Sequence, residues 1–214
     1  MNGQAVAVKG GSRLSAKDLT TTGMMIAIIL LMSFTPLGYL RTAGLEVSLI
    51  TIPVAIGAMI LGPRAGLLLG TVFGLTSFYQ CFGMSPFGAA LLGINPLLTF
   101  IVCVPTRALV GWLTGLIFKV IEKMDRSKAG CYFIGGFIAA LLNTLFFMGA
   151  LMLFFWNTYY IQSINASIGN LSIFTFVIAF VGVNGLLELP ATCIVGGAVS
   201  KTLKKVLYKK IRSN

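Results

Sequence analysis

The chain has 214 residues, of which 57% are hydrophobic and only 10% are charged. A soluble domain carries about a quarter charged residues, so this composition excludes an ordinary soluble domain and predicts an integral membrane protein. The net charge of +11 does not indicate nucleic-acid binding, because the basic residues lie between and beyond apolar segments and form no single patch.

Residues 1–20 form a polar N-terminal tail, which we expect to be cytoplasmic, and six apolar segments follow it. They predict an all-α membrane protein, a compact bundle of six transmembrane helices over residues 21–204. The predicted helices are 21–34, 47–61, 64–79, 96–120, 131–156 and 172–203, and residues 205–214 form a basic cytoplasmic tail. The second and third helices are shorter than the about 20 residues of a perpendicular span, so loops or neighbouring helices must cover them.

The positions of the basic residues orient the predicted bundle. Of the 16 lysines and arginines, all but Arg41 and Arg107 lie beside helix ends on one side of the membrane. The opposite loops hold only Arg41, and Arg107 lies inside the fourth helix. By the positive-inside rule, this distribution predicts that both termini are cytoplasmic.

Four glycines, Gly62, Gly66, Gly70 and Gly74, recur at every fourth position around the third predicted helix. Each glycine inside a helix costs about 1 kcal/mol relative to alanine, so the stripe needs a compensating contact. Glycines at this spacing let another backbone approach closely. Packing within the bundle is one interpretation, and contact with a second protein or a sliding surface is the other.

Two ionisable side chains lie inside predicted membrane helices, where charge is costly and often functional. Arg107 is in the fourth helix and Glu188 is in the sixth. Asn143 is midway along the fifth helix, and Asn184 shares a helix face with Glu188 four residues later. Two compatible interpretations remain open: a structural Arg107–Glu188 ion pair, and the floor of a ligand pocket.

Polar and aromatic residues with few charges collect on the side opposite the basic residues. They include Tyr79, Gln80, Asn95, Trp156 and Asn157. An interfacial aromatic belt accounts for part of this set, and a covered binding cavity is the alternative. The connection between the first two helices carries Arg41 and Glu46, and a loop of this length can close a site.

The chain lacks the residues that several kinds of catalysis and metal binding require. The chain has no histidine, which excludes Ser–His and Cys–His catalysis and His-ligated metal sites. It has no P-loop motif and no acidic cluster for Mg²⁺, and its four cysteines are far apart. We therefore expect neither enzyme activity nor a metal or other cofactor.

Two segments resemble the substrate-binding S components of energy-coupling factor (ECF) vitamin transporters. Residues 49–75, LITIPVAIGAMILGPRAGLLLGTVFGL, are similar to the second and third helices of that family. Residues 95–119, NPLLTFIVCVPTRALVGWLTGLIFK, are similar to its fourth helix, with Pro-x-Arg followed by glycines. The resemblance extends over nearly the whole chain and is greatest to the pantothenate-type members.

The resemblance implies a multi-pass transport protein of the bacterial plasma membrane. S components bind one micronutrient in the outward half of the bundle, beneath the loop between the first two helices. They dock on a membrane scaffold subunit driven by two cytoplasmic ATPase subunits, and are thought to topple in the lipid bilayer to deliver their cargo. Small residues on the first helix form the docking face, and they map to Gly23 and Ala27, with glycine replacing the usual first alanine.

An anionic vitamin such as pantothenate needs a cation or several donors at its carboxylate, and Arg41 and Arg107 are the candidates. The predicted substrate-binding residues are Arg41, Tyr79, Gln80, Asn95, Arg107, Asn143, Trp156, Asn157, Asn184 and Glu188. A few polar groups in an apolar cavity are typical of small-ligand sites. The alternatives are an S component for folate, riboflavin or a queuosine precursor, and a stand-alone membrane carrier.

Overall fold

The structure is a computed structural model that describes residues 16–35, 38–42, 45–125 and 130–209. Within these ranges, only the backbone is described for residues 40–42, 45–47, 180–184, 186–187 and 207–209. The described chain is almost entirely helical, with one short hairpin.

The elements follow one another with short connections. In chain order they are α1 (Ala16–Ser33), β1 (Tyr39–Thr42), β2 (Leu45–Ser48), α2 (Thr51–Leu61), α3 (Pro63–Gln80), α4 (Pro86–Ile94), α5 (Pro96–Met124), α6 (Gly130–Phe155), α7 (Tyr159–Ser167), α8 (Ile173–Ala191) and α9 (Gly197–Lys209). A π-helical turn, Thr192–Gly196, joins α8 to α9. Strands β1 and β2 pair antiparallel, with Arg41 opposite Glu46.

Each of the six predicted helices has a counterpart, namely α1, α2, α3, α5, α6 and the α8–α9 run. Their ends differ from the predicted ones. The first helix starts at Ala16, five residues earlier than predicted, and the last continues to Lys209, into the predicted tail. Charged residues at these ends lower the local hydropathy without interrupting the helical backbone.

The predictions for three connecting regions were wrong. The second helix does not begin at residue 47, because residues 45–48 form β2 and pair with β1. The segments after α3 and after α6, expected to be loops, contain the nine-residue helices α4 and α7. Helices of that length cannot span a bilayer, so a search for apolar spans does not detect them.

Local signals fix several helix starts. Gly62 has a φ of +93°, a conformation that favours glycine, and it ends α2 directly before Pro63 begins α3. Ser85 caps α4 by accepting a hydrogen bond from the Gly88 amide at 3.1 Å. Each of these residues is followed by proline at the first helical position, and the connections they end are short, with one residue between α2 and α3 and five between α3 and α4.

The glycine stripe packs α3 against α5 inside the molecule. A Cβ at Gly66 would overlap the Gly111 carbonyl oxygen, and one at Gly70 would overlap that of Arg107. At Gly74, it would lie 2.7 Å from the Val104 Cα. The two backbones are therefore in contact over two turns, which supports packing within the bundle and offsets the low helix propensity of glycine.

Buried side chains form clusters on either side of this helix pair. One cluster joins α1, α2 and α3 around Met25, Ile29 and Phe73. Another joins α4 to α8 around Leu151, Phe155 and Phe176. The clusters hold the middle of α5 between α3 and α6, and this places Arg107 inside the protein.

Three of the described helices are long and apolar enough to cross a membrane: Ala16–Ser33, Pro96–Met124 and Gly130–Phe155. The helix Thr51–Leu61 is apolar but has only 11 residues. These helices agree with the predicted α-helical membrane protein. The number of spans and the orientation of the termini stay predictions.

Candidate functional site

A cavity lies where the hairpin, the end of α3, the start of α4 and the middle of α5 and α6 meet α8. It contains about 850 Å³ of atom-free space, which includes an open mouth. Its lining residues are Tyr39, Ser48, Ser77, Gln80, Cys81, Ser85, Phe87, Gly88, Leu91, Cys103, Arg107, Asn143, Thr144, Phe147, Met148 and Glu188. Polar side chains and apolar ones share this wall, and such a combination in a concave site suits a small ligand that has both polar and apolar parts.

Arg107 is a cation held inside this wall, with only 7% of its surface exposed. Its Nη1 donates to the Val102 carbonyl oxygen at 2.8 Å and to Thr106 Oγ1 at 3.3 Å. Its guanidinium carbon lies 4.2 Å from the centre of the Phe147 ring and 5.5 Å from that of Phe73. The two rings and the Nη1 bonds fix the guanidinium plane, while the buried Nε has no acceptor among the described residues.

Glu188 supplies the opposite charge from α8 and is 5% exposed. Its Oε1 accepts two hydrogen bonds, from Thr51 Oγ1 at 2.7 Å and from Asn143 Nδ2 at 2.8 Å. Thr51 is the first residue of α2, and Asn143 is midway along α6. The carboxylate therefore ties three helices together at the cavity wall.

The structural ion pair between Arg107 and Glu188, one of the two interpretations of the sequence, is not present in the structure. The ion pair found among the described residues joins Lys204 to Glu122, at the other end of α5. Arg107 is instead held by a carbonyl and aromatic rings, and Glu188 by a hydroxyl and an amide. Both charges line the cavity without neutralising each other by contact.

Several other polar atoms at the cavity are only partly satisfied. Asn143 Oδ1 and Ser48 Oγ are buried and have no hydrogen-bond partner among the described residues. Gln80 is anchored by its Nε2, which donates to the Ser33 carbonyl oxygen at 2.6 Å. Buried polar atoms normally have partners, so this concentration at one cavity indicates a polar ligand or ordered water there.

Four of the ten predicted substrate-binding residues line the cavity: Gln80, Arg107, Asn143 and Glu188. The side chains of Arg41 and Asn184 lie outside the described part of the structure. The remaining four are Tyr79, Asn95, Trp156 and Asn157, and the structure does not bring them to the cavity wall.

Those four side chains have other surroundings. Tyr79 is 58% exposed and packs edge-to-face with the Phe34 ring, and Trp156 packs edge-to-face with the Phe176 ring. Asn95 Oδ1 accepts a hydrogen bond from the Leu98 amide and so caps α5, and Asn157 is exposed. A cap and two ring contacts account for three of these residues without a ligand.

Several lining residues were not predicted from the sequence, among them Ser77, Ser85 and Phe147. Helical spacing could have indicated two of the lining residues. Phe147 follows Asn143 by four positions on α6, and Cys103 precedes Arg107 by four positions on α5. Including the residues one helical turn before and after each predicted polar residue would have identified Phe147 and Cys103.

The comparison with known proteins identifies the family. Residues 17–196 match the family described as "ECF transporter, substrate-specific component". The chain belongs to this family. A similar protein, "Pantothenate transporter PanT" of Leuconostoc mesenteroides subsp. mesenteroides, is 30% identical over 203 residues, 90% of this chain and 94% of the relative.

A second relative is "Pantothenic acid transporter PanT" of Lactococcus lactis subsp. cremoris. It is 34% identical over 122 residues, 52% of this chain and 59% of the relative. As a substrate-specific component of an ECF transporter, the chain is part of a transport system and is not an enzyme. The expected resemblance to the S components is thus confirmed.

Proposed function

We propose that this S component binds pantothenate in the cavity around Arg107 and Glu188. The two relatives are named as pantothenate transporters, and the cavity offers groups that match this vitamin. We further propose that the chain is a six-helix, multi-pass protein of the bacterial plasma membrane with both termini in the cytoplasm. The cavity then lies in the outward half of the bundle, beneath the β1–β2 hairpin.

The buried guanidinium of Arg107 is the observation that carries this proposal. A carboxylate in an apolar cavity needs a cation or several donors, because the desolvation of an unpaired charge is costly. Arg107 Nε lacks an acceptor, and its Nη1 already has two. A ligand carboxylate at this face would complete the hydrogen bonding of the guanidinium.

The rest of the lining suits the other parts of pantothenate, which carries an amide, two hydroxyls and a branched alkyl group. Asn143 Oδ1 and Ser48 Oγ are polar atoms without partners and can exchange hydrogen bonds with these groups. Leu91, Phe147 and Met148 provide apolar contacts. The same wall could also orient another anionic vitamin, so the ligand must be tested directly.

We propose that the loaded protein docks on a membrane scaffold subunit driven by two cytoplasmic ATPase subunits. The docking face is assigned to Gly23 and Ala27 on α1. Both residues are exposed, and a Cβ at Gly23 would meet no other atom within 4 Å. This part of α1 thus remains open to a partner helix.

The test is pantothenate binding to the purified chain, with native mass spectrometry to identify co-purified ligand and calorimetry to measure the Kd. Arg107→Gln is expected to weaken binding by at least about 30-fold, because breaking a buried charged contact costs about 2–5 kcal/mol. Arg64→Gln is the matched control, since Arg64 is exposed at the opposite end of α3.

Three results would contradict parts of this proposal. Stoichiometric binding of a different vitamin would overturn pantothenate and leave the family intact. Equal binding by the Arg107 and Arg64 variants would remove Arg107 from the site. Uptake by the chain alone in liposomes, without ATPase subunits, would favour a stand-alone carrier over docking.

A further inference from the structure

The cavity contains two opposite charges, and each is positioned separately. Arg107 and Glu188 are the charged members of its described lining, and the other described lining residues are neutral polar or apolar. The two groups come from α5 and α8, and no ion pair joins them. A ligand in this cavity therefore meets one cation and one carboxylate.

The hydrogen bonds of Glu188 leave one of its oxygens available. Both protein donors, Thr51 Oγ1 and Asn143 Nδ2, bind to Oε1. No donor among the described residues binds to Oε2, although an ionised carboxylate can accept several hydrogen bonds. Because Oε1 is fixed from α2 and α6, the orientation of Oε2 is fixed as well.

The two charges set different requirements on a ligand. Arg107 can compensate one negative charge, and Glu188 favours a group that donates a hydrogen bond. A second negative charge on the ligand would face a carboxylate inside a poorly solvated cavity, where like charges repel strongly. A ligand without a carboxylate would leave the buried Nε of Arg107 without a charged acceptor.

Building on the proposed function, we propose that Glu188 determines specificity within the pantothenate site. Its free oxygen accepts a hydrogen bond from a ligand hydroxyl or amide, and its charge excludes ligands that carry a phosphate ester. The substrate class is then a monocarboxylate with hydroxyl or amide donors. Pantothenate meets this requirement, and phosphopantothenate, with an added phosphate, does not.

The experiment compares the Kd of pantothenate with that of phosphopantothenate for the wild-type chain and for Glu188→Gln. The wild type is expected to prefer pantothenate by at least about 100-fold, because like-charge juxtaposition costs several kcal/mol. Glutamine keeps an oxygen for Thr51 and Asn143 and replaces the second oxygen with an amide donor. We expect the preference to shrink by at least about 10-fold in this variant, mainly through tighter binding of phosphopantothenate.

Two further variants serve as controls. Glu122→Gln removes the same charge from a residue that pairs with Lys204 and does not line the cavity, so the preference is expected to stay unchanged. Glu188→Asp keeps the charge and is expected to keep the exclusion of the phosphate ester. If the glutamine variant does not fold, the wild-type Kd of pantothenate acetylated at the hydroxyl that otherwise carries the phosphate replaces it. Exclusion by charge predicts that this uncharged ester group is tolerated at least about 10-fold better than the phosphate ester, and equal binding of the two esters would contradict the proposal.

The outcomes separate this inference from the proposed function. If the wild type binds pantothenate but binds phosphopantothenate equally well, Glu188 does not exclude phosphate esters. The same conclusion follows if Glu188→Gln folds, binds pantothenate and retains the wild-type preference. If the wild type fails to bind pantothenate at all, the proposed function is overturned and this inference with it.

Discussion

Asn95 lies at the first turn of α5, where its Oδ1 accepts a hydrogen bond from the Leu98 amide at 3.1 Å. Such N-caps contribute about 0.5–2 kcal/mol to stability. We expect Asn95→Ala to lower the thermal unfolding temperature of the purified chain and to leave the Kd for pantothenate within about twofold. Scanning fluorimetry and calorimetry on the same sample measure both quantities.

The matched control for this prediction is Asn95→Asp, which retains a capping oxygen and is expected to keep the unfolding temperature close to the wild-type value. A contrary result is a large loss of affinity in the alanine variant without a change in unfolding temperature. Asn95 would then contact the ligand, as the sequence analysis expected.

At the residue scale, the sequence predicted the deeply buried polar groups better than those near the helix ends. Arg107, Asn143 and Glu188 sit in apolar helices, where a polar side chain needs a partner or a cavity. Tyr79 and Gln80 are adjacent in sequence, yet only Gln80 lines the cavity. Neighbouring positions on a helix differ by about 100° in direction, and composition alone does not fix that rotation.

The contact between α3 and α5 depends on the absence of side chains at the glycine stripe. A Cβ at Gly70 would lie 3.0 Å from the carbonyl carbon of Arg107 and 3.1 Å from the Cα of Ala108. We expect Gly70→Ala to cost about 1–3 kcal/mol through overpacking, despite the higher helix propensity of alanine. The displaced backbone carries Arg107, so the Kd for pantothenate is expected to rise as well.

Gly149→Ala on α6 is the control for Gly70→Ala, since a Cβ at Gly149 would meet no atom within 4 Å. This control is expected to retain or slightly raise the unfolding temperature, measured by scanning fluorimetry. Equal folded yield, stability and affinity in both variants would show that α3 and α5 can separate without cost. The glycine stripe would then need a different explanation.

At the element scale, hydropathy predicted the six apolar helices but not the short elements between them. Helices α4 and α7 have nine residues each, and β1 and β2 have four. Four-residue strands are stabilised by pairing with each other. This pairing cannot be predicted from the pattern of apolar residues along the chain. These short elements matter for the site, because the hairpin contributes Tyr39 and Ser48 to the cavity and α4 contributes Phe87.

At the scale of the whole molecule, the proposed binding cavity and the proposed docking face are separate surfaces. The cavity is formed by the hairpin and by α3, α4, α5, α6 and α8, and none of its lining residues comes from α1. On α1, Met25 and Ile29 are buried, whereas Gly23 and Ala27 are exposed. The helix thus fixes one face in the core and leaves its small residues available for a partner.

This separation gives a prediction for the proposed docking face, tested with Gly23→Leu combined with Ala27→Leu. Large side chains would prevent close approach of a partner helix, which depends on small residues. We expect the variant to bind pantothenate with the wild-type Kd, because neither position lines the cavity. We also expect it to lose co-purification with the scaffold and ATPase subunits, together with ATP-dependent pantothenate uptake.

Gly149→Leu is the matched control for the docking variant, because it adds the same side chain at an exposed position of a different helix, α6. If docking depends on α1, this control retains both co-purification and uptake. Loss of uptake in both variants would indicate a general effect of bulk on the membrane-embedded surface. Normal uptake in the α1 variant would exclude Gly23 and Ala27 from the docking face, and the partner would then have to contact another exposed helix.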